Sequence, residues 1–146
     1  MKTVTFPITS EEILLKCIPQ RMPIVMVDCL LSYNEAFVSA GLLIKTENIF
    51  TENDALQEPG LIEHMAQTVA LHTGFGYYLK KETAPTGYIG SISGLKINRL
   101  PKINEHITTE ATILHEFAGV TLVDIVSKSK DEIIASGQMK TVIAKQ

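Results

Sequence analysis

One segment governs what this chain can become: residues 59–79, a long run that opens on Pro59-Gly60 and is apolar almost all the way round. Proline at a first helical position loses nothing, because its missing N–H would have had no partner there. Leu61, Ile62, Met65, Ala66 and Val69 then keep i, i+3, i+4 spacing, which predicts a helix running to about Leu79. Ala70, Leu71, Phe75, Tyr77 and Tyr78 place apolar surface on its other sides. Such a helix has to be covered from several directions at once.

The remaining segments supply the cover. Thr9-Ser10-Glu11-Glu12 ahead of Ile13-Leu14-Leu15 predicts a short capped helix, stopped by Pro19 and Pro23. Two runs rich in Val, Ile and Leu, residues 24–33 and 36–44, predict a hairpin that turns at Asn34-Glu35, whereas residues 45–58 show neither period. Beyond Pro85-Thr86-Gly87, strands are predicted over 88–98, 107–117, 120–127 and 133–143. Turns at Ala118-Gly119 and at residues 129–132 make the last three antiparallel neighbours. One long buried helix with about six strands is an α+β fold, and the economical packing is an antiparallel sheet curled around the helix, the hot-dog arrangement. No repeat or linker interrupts the chain, so residues 1–146 are expected to form a single domain.

Charge and composition remove several function classes. The formal net charge is −3 and no Lys/Arg-rich run occurs, so nucleic acid is not an expected partner. The start, Met1 to Pro7, has no apolar stretch fit for a signal peptide, and no run of about 18 apolar residues exists anywhere; the expectation is a cytoplasmic protein without membrane contact. Cys17 and Cys29 form no CxxC pair and have no histidine near them at zinc spacing, which makes them small buried hydrophobes and predicts no metal.

Three segments carry a family likeness. Ile18-Pro19-Gln20-Arg21-Met22-Pro23-Ile24-Val25-Met26-Val27-Asp28, Pro59-Gly60-Leu61-Ile62-Glu63-His64-Met65-Ala66-Gln67, and Gly90 to Pro101 resemble, in order and spacing, the 3-hydroxyacyl-ACP dehydratases of fatty-acid and polyene-type biosynthesis. The Glu-x-Met-Ala-Gln helix start is the most specific of them. The resemblance implies a dimer, homomeric or paired with a paralogue, with an acyl tunnel between subunits. It implies no cofactor, because the substrate rides on the phosphopantetheine of acyl carrier protein, the implied partner. In that family a histidine takes the C2 proton, a carboxylate on the partner's helix protonates the leaving hydroxyl, and a helix-start N–H polarises the thioester carbonyl.

Carried onto this chain, Glu63 is the catalytic carboxyl. Burial favours its neutral form and a helix start its charged form, so a carboxyl in the first turn is poised to exchange a proton. Gln67, one turn on, is placed to orient it, and Gly60 to offer its N–H to a thioester oxygen; Gly90 completes the expected substrate contacts. Lys96, Arg99 and Lys102 are candidates to meet an acidic carrier protein. Met22, Met26 and Met65 are candidates to line the tunnel.

The chain departs from the family at the base. The loop at residues 48–58 has no histidine where a Gly-His-Phe element is usual, and Gln20 stands where the opening signature carries His. His64 is the first candidate to compensate, by approaching Glu63 of a partner across a two-fold axis, and His115, expected on the apolar side of its strand, is the second. His72 falls nearly opposite Glu63 around the helix, and His106 lies beside a turn. Three functions remain: a dehydratase, a non-catalytic subunit pairing with an active paralogue, or a thioesterase on the same fold.

Overall fold

The computed structural model describes residues 4–144. Met1 to Thr3, part of the segment read above for a signal peptide, and the last two residues of the expected domain lie outside that range.

Ser10 opens α1 (Glu11–Cys17), its hydroxyl accepting from the Ile13 N–H at 3.3 Å. The hairpin β1 (Cys29–Asn34) and β2 (Phe37–Leu43) follows, its turn fixed by the Asn34 side chain, which accepts from the Ala36 N–H at 2.9 Å. A small hairpin, β3 (Thr51–Glu52) and β4 (Ala55–Leu56), then leads into α2 (Glu58–Leu79). The chain finishes with β5 (Gly87–Ile97), β6 (His106–Phe117), β7 (Val120–Ser129) and β8 (Glu132–Ile143). Six strands form one antiparallel sheet in the order β1-β2-β6-β7-β8-β5.

The α2 helix packs against α1 and against β2, β6 and β7, and this is where the core sits. Leu61, Met65, Leu71 and Phe75 are each no more than 1% exposed. Burying side chains of that size contributes about 1.5–3 kcal/mol apiece, which is what holds the sheet around the helix. The expected α+β hot-dog fold is therefore the observed one.

Three expectations need correction. Residues 24–28, predicted as the start of a strand, are not in the sheet, because the backbone of Met26 bonds to side chains of α2 instead, as described below. Residues 45–58, predicted without regular structure, contain the β3–β4 hairpin; Asn53 and Asp54 at its tip take positive φ (52° and 63°), as a tight two-residue turn requires. The helix starts at Glu58, so Glu63 lies in its second turn rather than its first.

Candidate functional site

The Glu-x-Met-Ala-Gln motif works first as a clasp. The Gln67 side chain is fully buried, and its amide oxygen accepts from the Met26 N–H at 2.6 Å. Its amide nitrogen donates to the Ile24 carbonyl at 2.9 Å and to Glu63 Oε2 at 2.8 Å. His64, also fully buried, bonds the Met26 carbonyl through Nδ1 at 2.7 Å. A carbonyl only accepts, so the proton is on Nδ1 and Nε2 is a bare acceptor, buried without a partner among the described residues. Burial holds the His64 imidazole down to about 4, partly offset by its bond to Met26, so it is neutral at physiological pH. Both backbone polar groups of Met26 thus find side-chain partners on α2, which satisfies a residue that no strand pairs.

The same arrangement points Glu63 the other way. Glu63 is half-buried and lines a cavity of about 290 Å³ between α2 and the ends of β5 and β8. Ala66, Ala70, Ile89 and Val142 give that cavity apolar walls, and Gln20 lines it as well. The Gln20 amide oxygen is buried without a partner among the described residues. In the sequence Gln20 stands out only as a departure from a pattern; its place on the same cavity as Glu63 comes from the fold. A carboxyl held by an amide at the wall of a narrow apolar cavity can pass a proton to a hydroxyl brought against it.

Several expected residues do other work. No histidine lines the Glu63 cavity. His64 is enclosed by its own subunit, so it cannot reach across to a partner's Glu63. His115 leaves the apolar side because the register shifts between Ile113 and His115; this bulge inverts the alternation, and His115 and Phe117 are exposed. His72 sits at the strand margin, where its Nε2–H donates to the Asn34 carbonyl at 2.9 Å and its ring packs on Tyr33.

Gly60 is buried, and its N–H donates to the Gln57 carbonyl at 3.0 Å, so that N–H is not free for a thioester. A Cβ there would meet Phe50 Cβ at 2.5 Å and Leu56 Cδ1 at 2.7 Å: the glycine lets the β3–β4 hairpin close on the helix start. Gly90 sits at a register shift in β5 and is exposed, next to the Glu63 cavity rather than among its lining. Arg99 is engaged within its own chain. Its guanidinium bonds Glu132 at 2.9 and 3.1 Å and Glu105 at 3.0 and 3.1 Å, tying the end of β5 to β8 and to the loop before β6. Lys96 and Lys102 remain exposed. Met26 and Met65 are core residues, and Met22, 67% exposed, borders a different cleft of about 450 Å³.

The structure also assembles a group that sequence spacing hid. Donor atoms of Asp28, Cys29 and His106 all lie within 4.8 Å of one another, although no histidine stands at zinc spacing from Cys29 along the sequence. Burial, with the Asp28 carboxylate beside it, pushes the Cys29 thiol up to about 12, so it is protonated in the free protein.

Comparison with known proteins gives a consistent answer. The family described as ApeP-like, ApeP dehydratase, matches residues 14–145. No curated protein matches the chain. Among solved structures, a chain of the dehydratase heterocomplex ApeI:P from Xenorhabdus doucetiae is similar at TM-score 0.85 and 14% identity, covering 91% of each chain. The PaaI protein of the E. coli phenylacetic acid degradation operon is similar at TM-score 0.62 and 12% identity, covering 77% of this chain and 80% of its own. A hypothetical thioesterase from Streptococcus pneumoniae, solved with coenzyme A, is similar at TM-score 0.63 and 9% identity, covering 80% and 85%. Likeness at such identities speaks for the fold alone.

Proposed function

Because the chain belongs to the ApeP-like dehydratase family, which matches nearly its whole length, we propose that it is one half of a two-subunit dehydratase, supplying Glu63 as proton donor while a second hot-dog subunit supplies the base. The observation that carries this reading is a cavity with a positioned carboxyl and no histidine: Gln67 holds Glu63 at its wall, and none of the four histidines lines it. The substrate class is a 3-hydroxyacyl thioester on the phosphopantetheine arm of acyl carrier protein. The partner's base removes the C2 proton, the C3–O bond breaks, Glu63 protonates the departing hydroxyl, and a trans-2-enoyl thioester and water leave. The apolar walls around Ala66, Ala70 and Val142 suit an acyl chain. Of the three basic candidates near the end of β5, Lys96 and Lys102 are the ones free of ion pairs among the described residues and placed to meet the carrier.

Assembly with a second subunit is supported by β5. It is an edge strand of eleven residues, exposed over most of its length and with no strand paired along its outer side among the described residues. A long open edge is a template for another strand. The solved relative named above as a heterocomplex agrees with a paired state for this family. The reading places the complex in the cytoplasm, where free thiols such as Cys17 and Cys29 stay reduced.

The test is mass spectrometry of 3-hydroxyacyl-carrier protein incubated with the chain alone, with a co-purified hot-dog partner, and with that complex carrying Glu63→Gln. The expected result is loss of one water only in the unsubstituted complex, with turnover reduced at least about a hundredfold by Glu63→Gln, the scale of a general-acid contribution. Full turnover by the chain alone overturns the half-site reading. Full turnover by the Glu63→Gln complex makes this chain a non-catalytic subunit.

A further inference from the structure

A second site lies away from the Glu63 cavity, where β1, β2 and the start of β6 meet. Cys29 pairs with Gly41 and His106 pairs with Leu43, so Cys29, Gly41, Leu43 and His106 share one face of three adjacent strands. Gly41 is what lets the outer two meet across the middle one. A Cβ at that position would lie 2.6 Å from His106 Cε1 and 2.8 Å from Cys29 Sγ. Asp28 closes the third side. Its Oδ2 is occupied by the Leu43 N–H at 2.7 Å, while Oδ1 stands 3.7 Å from His106 Nε2.

We propose that Asp28, Cys29 and His106 bind a zinc-like divalent transition-metal ion through Oδ1, Sγ and Nε2. The donor set, one thiolate, one imidazole and one carboxylate, is what such an ion takes, and it is unsuited to calcium or magnesium. Ligands at zinc distances stand roughly 3.3–3.7 Å apart around a tetrahedral ion. The three donors already lie within 4.8 Å of one another, so only a small closure is needed. The side chains able to make it are the freer ones: Asp28 is 41% and His106 48% exposed, whereas Cys29 is buried and fixed by the sheet. Asp28 also lines the cleft of about 450 Å³ beside α1, and the exposure of Asp28 and His106 leaves the ion's fourth position to water. On binding, the Cys29 thiol proton passes to solvent and the S–metal bond replaces the S–H bond; no electron moves.

The experiment titrates Co²⁺ into the whole chain, free of any affinity tag and kept reduced by a non-thiol reductant. One equivalent is expected to bring up a thiolate-to-cobalt charge-transfer band in the near ultraviolet, which Zn²⁺ then bleaches. Cys29→Ser and His106→Gln lose the band, and Cys17→Ser keeps it. His106→Gln carries the test if Cys29→Ser folds poorly by circular dichroism, because His106 is half-exposed. Absence of the band, or a band that survives both Cys29→Ser and His106→Gln, overturns the site; so does its loss in Cys17→Ser with the fold intact.

Discussion

His64 illustrates how one side chain can be read two ways. In the sequence it stands beside Glu63 and invites a catalytic role; in the fold it is fully buried and tied to the Met26 carbonyl. Burial holds its folded-state value near 4, against an ordinary 6.5. Between those two values the unfolded chain binds the proton and the folded one does not, so the His64 contribution to stability falls as pH drops from 6.5 to 4 and is level on either side. A separation of that size corresponds to a loss of about 3 kcal/mol across the window. Denaturant unfolding of the wild type and His64→Gln from pH 4 to pH 7 checks this: the difference between their stability curves should slope in that window, and parallel curves would remove the claim. Arg99 shows the same shift of role, since a basic residue at a strand end reads as a docking contact until two carboxylates are found on it.

At the scale of elements, the sequence was most legible where alternation and turn chemistry agreed. Strands β6, β7 and β8 and their register around Ala118-Gly119 follow from such agreement, both turn residues having positive φ (53° and 80°). It was least legible where a side chain replaced a strand partner, as Gln67 and His64 do for Met26, because no local pattern encodes a bond across 41 residues. The bulge between Ile113 and His115 escaped for a related reason: one extra residue inverts a face without altering composition. The site was legible in Glu63 and Gln67, adjacent on one helix, and not in Asp28, Cys29 and His106, which only the register through Gly41 unites. Glycine matters once more, where α1 crosses α2. A Cβ on Gly74 would collide with the Cys17 carbonyl, a backbone atom that cannot rotate away. Gly74→Ala, ordinarily a gain in helix propensity, should therefore destabilise the fold by about 1–3 kcal/mol, seen as a lowered denaturation midpoint. An unchanged or raised midpoint would show that the two helices separate freely.

For the whole molecule the open question of form is what covers β5. Its neighbour on one side is β8, and on the other side no strand among the described residues pairs with it. The end of the sheet beside it is also unusually apolar. Tyr88, Val142, Val120 and Phe117 stand directly opposite one another across four strands, 62%, 37%, 37% and 73% exposed. Such a row beside an open edge is poorly matched to water and well matched to a second subunit. Charge on the edge should block the pairing without disturbing the core, since Tyr88 and Ile92 are both solvent-accessible. The double substitution Tyr88→Lys, Ile92→Lys is expected to leave the circular dichroism spectrum unchanged and to shift the mass measured by native mass spectrometry from the assembled species to the single chain. It should also abolish water loss from a 3-hydroxyacyl thioester, because Glu63 would then face a cavity whose base is absent; since Tyr88 itself lines that cavity, Ile92→Lys alone should do the same. Persistence of the assembled mass would place the seam elsewhere. Loss of assembly with full turnover retained would separate the two ideas, leaving β5 as the contact and returning the base to this chain.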